Sequence, residues 1–172
     1  PFGGAGPAHG VAVARQLGIT RVLVPPIPGC NSALGILNTD VRHEVVEAFP
    51  ARLHDVEIDD LTKLVDQLAA NANSELAADG VPEAVRALQP AMDLRYRGQA
   101  YELTIPVGSI DVSGAIIDSA INDFHAAHLR RYGHALDDDL VEVVNVRVTG
   151  VGSIDKVELR VPDRGGVSLE PR

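Results

Sequence analysis

Phe2-Gly3-Gly4-Ala5-Gly6-Pro7-Ala8-His9-Gly10 sets the reading of this chain. Four of the nine residues are glycine, and an apolar helical pattern (Val11, Val13, Ala14, Leu17) follows at once and closes at Gly18. Pro7 suits the first turn of that helix, because its fixed φ is already helical and its missing N–H had no partner to lose. Glycines ahead of a helix let the backbone approach a ligand closely, and the free N–H groups at the helix start favour an anion. The stretch is neither a P-loop nor the dinucleotide fingerprint, since no Gly-Lys-Ser/Thr and no Gly-x-Gly-x-x-Gly is present. By itself it is read equally well as a ligand-contacting turn and as a plain strand-to-helix connection.

Outward from this turn, the grammar is first α/β. Arg21-Val22-Leu23-Val24 reads as a short buried strand ended by Pro25-Pro26, and Ser32 is placed to cap a short helix through Leu37. Residues 41–49 read as extended, closed by Pro50. The clearest helix starts at Asp59 or Asp60, with Leu61, Leu64, Val65, Leu68, Ala72 and Leu76 on one face and Gly80 then Pro82 as its stop.

The grammar then becomes α+β. Met92, Leu94 and Tyr96 alternate with Asp93, Arg95 and Arg97, and after Gly98-Gln99 the alternation resumes through Tyr101, Leu103 and Ile105, the pattern of a tight hairpin. A second long helix is expected from Asp111 or Ser113, striped by Ile117, Ile121, Phe124 and His128 and ended by Gly133. Val141–Val148 and Val157–Val161 read as strands separated by Gly150-Val151-Gly152-Ser153. The division expected is 1–80 as one part, 85–162 as a small mixed-sheet module with one long helix, and 163–172 as a mobile tail.

Bulk properties narrow the function. A length of 172 residues with 45% hydrophobic and 23% charged content suits one domain or two small ones of a soluble globular protein. With no Trp and 3% aromatics the core must be mainly aliphatic. The net charge of −9 argues against a nucleic-acid or anionic-membrane partner, though not against ATP at a local site. Cys30 is the only cysteine, so no internal disulfide forms and a reducing cytoplasm is expected; its default role is a small packed thiol. No apolar run reaches the ~20 residues of a membrane span. The excess of arginine over lysine and the abundant alanine point to a bacterial source. Pro1 in place of Met, and a glycine turn with no strand before it, read as a segment of a longer polypeptide.

Phe2-Gly3-Gly4-Ala5-Gly6-Pro7-x-His9 resembles the FGGAGPxH signature of the hydantoinase/5-oxoprolinase A-subunit family. The resemblance continues in order through Leu17-Gly18-Ile19, Pro28-Gly29, Ser32-Ala33-Leu34-Gly35, Asp40 with Arg42, Asp93 to Gln99 before Tyr101-Glu102-Leu103, His128 with Tyr132-Gly133, and Val141-Glu142 with Asn145-x-Arg147. It implies the C-terminal part of an actin-like ATPase lobe followed by a small α+β module. It further implies ATP and Mg²⁺ as cofactors, a cyclic amide such as hydantoin or 5-oxoproline as substrate, a hydantoinase B-type subunit and a missing N-terminal lobe as partners, and further copies of the chain. Ketone carboxylation and a non-catalytic assembly role are the rival readings. By resemblance, Gly3, Gly4, Ala5 and Gly6 face the adenosine, with His9 beside them.

Three further groups carry side chains suited to a site. Asp93, Arg95 and Arg97 share a strand face with Glu102 expected across the hairpin; Asp93, Arg95 and Glu102 are candidates for a substrate or subunit contact, against a plain cross-strand salt-bridge ladder. His125 and His128, with His134 and Asp137-Asp138-Asp139, have spacing that could serve a metal, but the apolar stripe and a solvated loop account for them more simply, and no metal is assigned. By simple alternation Glu142 falls on the opposite strand face from Asn145 and Arg147.

Overall fold

The computed structural model describes residues 1–108, 114–136 and 140–157, which form two compact units, 1–39 with the segment from Ile154, and 40–153. The sequence pattern groups residues 40–80 with the N-terminal part; here they belong to the second unit.

In the first unit, helix α1 (Gly6–Gln16) begins one residue before Pro7, and Ala5 sits at its N-cap with no side-chain cap. Helix α2 (Asn31–Leu37) follows a single 3-10 turn at Pro28–Cys30; Cys30, not Ser32, occupies its N-cap position, and the cysteine is exposed rather than packed. Its last turn is closed by side chains, with Asn38 Nδ2 donating to the Leu34 carbonyl at 3.2 Å and Thr39 Oγ1 to the Gly35 carbonyl at 2.8 Å. Residues 21–24 form no strand: no ladder partner is present for their backbone groups among the described residues, and Leu23 is 77% exposed. Ala14 is the only buried residue described in this unit.

The second unit is built from β1 (Val41–Arg52), α3 (Ile58–Ala78), β2 (Arg86–Tyr96), β3 (Leu103–Pro106), α4 (Gly114–Tyr132) and β4 (Val141–Gly152). The sheet order is β1-β4-β2-β3 and every pairing is antiparallel, so the sheet is not mixed. Two β-α-β crossovers interleave: β1 and β2 bracket β4, while β3 and β4 bracket β2. One sheet face carries Met92, Leu94, Tyr96, Ile105, Val141, Val143, Val146 and Val148, and both long helices contribute to the same core through Leu61, Leu64, Val65, Leu68, Ala72, Ile117, Ala120 and Phe124. All six apolar positions read on the first long helix are buried, as the 3- and 4-residue spacing requires.

That helix ends in a Schellman turn: Gly80 at φ +76 lets its N–H reach the Ala77 carbonyl (3.0 Å) while the Val81 N–H reaches that of Leu76 (3.0 Å). The turn places Val81 directly on β4. Gly150 and Gly152, read from sequence as a separator, are interior residues of that strand. A Cβ on Gly150 would stand 3.0 Å from Leu76 Cδ1, and one on Gly152 would stand 2.6 Å from Val81 Cγ1. They are glycine because the helix end and the strand approach that closely.

Three other expectations change. Pro50 does not end the first strand; β1 runs on to Arg52 past an irregularity between Ala48 and Ala51. The hairpin is not tight: β3 starts at Leu103, paired with Leu94, because the backbone turns away after Tyr96, where the Arg97 N–H bonds the Leu140 carbonyl at 2.9 Å. Residues 153–157 are not a strand, whereas residues 158–161, Asp111, Ser113, Asp137–Asp139 and the tail from 163 lie outside the described residues.

Gly152→Ala should lower the unfolding temperature of the chain, by the equivalent of about 1–3 kcal/mol, since the stiff Val81 side chain has to give way. An unchanged melting curve would show that the end of α3 is not seated on β4.

Candidate functional site

The glycine turn belongs to the first unit. Gly3 adopts φ +85, a conformation that side chains resist, and its N–H is tied to the Pro28 carbonyl at 2.7 Å, which anchors the turn. Gly4 differs: its φ is not positive, it is exposed, and nothing within 4 Å would meet a Cβ there. Neither strain nor crowding within the chain accounts for that glycine. Ala5 offers no side-chain cap, Pro7 carries no N–H and the Ala8 N–H bonds the Ala5 carbonyl at 3.1 Å, so in the first turn of α1 the Gly6 N–H is the one left for an external acceptor. His9 is exposed, one turn into the helix; with Gly6, Gly10, Val13, Arg21 and Val22 it lines an open depression of about 630 Å³.

The other site residues lie on the second unit's sheet, on the face away from the helices. Register places Asp93 of β2 opposite Asn145 of β4 and Thr104 of β3, and Arg147 of β4 opposite Ala91 and Val46. The Asp93 side chain is 0% exposed. Its Oδ1 accepts from Thr104 Oγ1 at 2.7 Å, and its Oδ2 accepts from Asn145 Nδ2 at 2.9 Å and from the Arg147 guanidinium. Arg147 reaches on to Glu44 Oε1 of β1 at 3.0 Å. Burial pushes the Asp93 carboxyl upward, but the bonds from Arg147, Thr104 and Asn145 and the Arg147 charge together outweigh it and hold the carboxyl below its ordinary value. The bond to Asp93 raises Arg147 against the cost of its own burial. Among the described residues, Arg147 Nε is buried with no hydrogen-bond partner.

Beside this cluster Arg95 meets Glu142, with Nε and Nη2 each 3.3 Å from Oε2. Simple alternation along β4 puts Glu142 on the opposite face from Asn145 and Arg147. A bulge corrects this: Asn145 pairs with Asp93 but Val143 with Leu94, leaving Val144 extra, so the strand changes phase and all three polar residues share one face. The burial pattern records the same slip, with Val141 and Val143 buried before it and Val146 and Val148 after it. Glu102 is not across from Asp93 or Arg95; it is exposed and precedes β3, and Thr104 takes the place facing Asp93. Asn145 and Arg147 as partners of Asp93, and Glu44 as the further partner of Arg147, are not legible in the sequence because nothing in a linear pattern marks a bulge or the insertion of β4 between β1 and β2.

Among the described residues no group of three or more His, Cys, Asp or Glu side chains is placed to hold a metal ion, and no helix is long and apolar enough to cross a membrane.

Known proteins share this fold. The family model Hydantoinase/oxoprolinase matches residues 1–45. An uncharacterized protein of Methanocaldococcus jannaschii is 35% identical over 92% of this chain, and 5-oxoprolinase 1 of Arabidopsis thaliana is 28% identical over 88% of it. The crystal structure of an ATP-dependent caprolactamase from Pseudomonas jessenii superposes with a TM-score of 0.75 over 90% of this chain at 23% identity, and a nucleotide-free structure of acetone carboxylase with 0.66 over 90% at 24% identity. The chain belongs to the hydantoinase/oxoprolinase family. It spans 22% of the length of the M. jannaschii protein, 12% of 5-oxoprolinase 1 and 23% of the caprolactamase chain.

Asp93→Asn should destabilise the chain by about 3 kcal/mol, the low end for breaking a buried pair because Arg147 is one-fifth exposed. The folded carboxyl titrates below its unfolded value of about 3.9, so its contribution is complete above roughly pH 4 and is lost as pH falls through the folded pKa. Unfolding curves of wild type and Asp93→Asn should therefore converge below pH 4; a gap that stays constant into acid would contradict the ion pair.

Proposed function

We propose that this chain is part of an ATP-dependent enzyme that opens a cyclic amide. In this reading Gly3, Gly4, Ala5 and Gly6, with His9, form the adenosine-side turn of an actin-like ATPase lobe. The observation that carries it is Gly4: exposed, unstrained and uncrowded, directly ahead of the uncapped start of α1. A side chain at that position costs the chain itself nothing, so the glycine is explained by something that approaches from outside. The Gly6 N–H behind it suits an anionic or purine acceptor, and ATP is the ligand to which the name of the ATP-dependent caprolactamase points. ATP would bring Mg²⁺ with it. Bound there, ATP would supply a phosphoryl group to the amide oxygen, making the amide carbon electrophilic enough for water to add and the ring C–N bond to break, and the chain's part is to hold the nucleotide in position.

Unit 40–153 then serves as the smaller module, and Arg95 with Glu142, and the exposed Glu102, offer contacts to substrate or to a second subunit of the B type. Asp93 acts there through Arg147, since its own side chain is fully buried beneath its partners. Ten of the exposed large apolar residues lie within 1–39, among them Phe2, Leu17, Leu23 and Ile36. We read that surface as one that meets further polypeptide, an N-terminal lobe of the same enzyme or another copy.

Ketone carboxylation stays as the second reading, favoured by the likeness to acetone carboxylase. A role in assembly alone is the third.

Gly4→Arg, introduced into the complete enzyme, should weaken ATP binding measured by calorimetry at least about tenfold while subunit assembly and unfolding temperature stay unchanged, because an exposed side chain perturbs only what docks on it. Intact ATP affinity with lost assembly would replace the nucleotide role by the assembly role. Turnover of hydantoin and 5-oxoproline, against acetone with bicarbonate, separates the first two readings.

A further inference from the structure

A second cavity, of about 230 Å³, lies within unit 40–153 between the loop after β2 and the end of α4, lined by Gln99, Ala100, Tyr101, His128, Tyr132 and His134. Its floor is His128, which is 2% exposed. Tyr96 (4.7 Å between ring centroids), Tyr132 (4.6 Å) and His134 (4.9 Å) surround the imidazole. Its hydrogen bonds set its tautomer. Nδ1 lies 2.8 Å from the His134 carbonyl, which can only accept, so in the neutral form of the ring the proton sits on Nδ1. Nε2 is then an acceptor, and the Gln99 amide nitrogen, 3.3 Å away, donates to it.

This chain of bonds fixes which end of the Gln99 carboxamide is which. The nitrogen is turned to His128, leaving one amide N–H and the Oε1 acceptor side by side. No described residue donates to Oε1. The backbone of Gln99 is held as well, its N–H bonded to the Tyr96 carbonyl at 3.0 Å. A pre-set donor and acceptor on one plane, at the mouth of a cavity walled by Tyr101 and Tyr132, matches the complementary edge of a flat molecule. We propose that this cavity binds a small, flat, uncharged ring carrying a hydrogen-bond donor next to an acceptor, read by Gln99 as oriented by His128. A cyclic secondary amide and a purine base both present that edge. The inference does not rest on the nucleotide role of the glycine turn, which lies in the other unit.

The test is titration of the uniformly 15N-labelled chain, followed by the His128 Nε2 resonance in a long-range 1H–15N correlation. The probes are 2-pyrrolidone and 9-methyladenine, each beside a donor-blocked counterpart, 1-methyl-2-pyrrolidone and N6,N6,9-trimethyladenine. At least one unblocked ring should shift the resonance saturably, its blocked counterpart should bind roughly tenfold or more weakly, and Gln99→Leu should weaken the unblocked ring by a similar factor. Which ring responds tells a lactam site from a base site. The proposal falls if neither ring moves the resonance at millimolar concentration, or if blocked and unblocked rings bind alike to the wild-type chain. That second comparison stands even if Gln99→Leu does not fold, and none of these outcomes reads ATP affinity at Gly4.

Discussion

The second unit depends on the pairing of β2 with β4. These are the two inner strands of the sheet, and each is bracketed by a crossover that belongs to the other. Their ladder slips by one residue at Val144. Without the slip, the valines at 141 and 143 and those at 146 and 148 could not all face the helices, because side chains alternate strictly along a regular strand. With it, four valines enter the core, and Glu142, Asn145 and Arg147 emerge together on the far face. One irregularity thus builds both the apolar layer and the polar cluster.

The polar cluster sits at the centre of that ladder rather than at its rim. A carboxylate with no exposed surface is tolerated because its partners are brought to it by the strands on both sides, Thr104 from β3 and Asn145 and Arg147 from β4, with Glu44 of β1 steadying the arginine. Such a pair adds little net stability over a well-packed apolar equivalent, while losing one partner is costly. Its consequence is positional: it holds β1, β4, β2 and β3 in one register on the face where Arg95 and Glu142 are presented. The helix face is secured differently, by the near-contact of Val81 and Leu76 with Gly152 and Gly150, where the absence of side chains is the structural element.

The first unit presents the opposite balance. Its helices are short, and Ala14 is its only buried described residue, so its apolar side chains do not find a core among the described residues. Its features of interest are backbone features: an anchored Gly3, an unexplained Gly4 and an uncapped helix start. A turn of that kind gains its meaning from what is brought to it, which is why its role is argued from the ATP-dependent relatives as well as from its own geometry.

The sequence by itself determined the helices and the family. Apolar spacing placed Leu61 to Leu76 and Ile117 to His128 on their buried faces, and Gly80 and Gly133 marked their ends through a positive φ that local geometry alone demands. The ordered motifs from Phe2 to Arg147 named the hydantoinase/oxoprolinase kinship. Only the tertiary structure decided what depends on partners distant in the chain: that residues 21–24 have no ladder among the described residues, that Gly150 and Gly152 lie inside β4, that Thr104 rather than Glu102 faces Asp93, and that Glu142 joins Asn145 and Arg147. Helix periodicity is a property of neighbours three and four residues apart. Strand pairing, bulges and close approaches arise between residues tens of positions apart, and no local pattern encodes them.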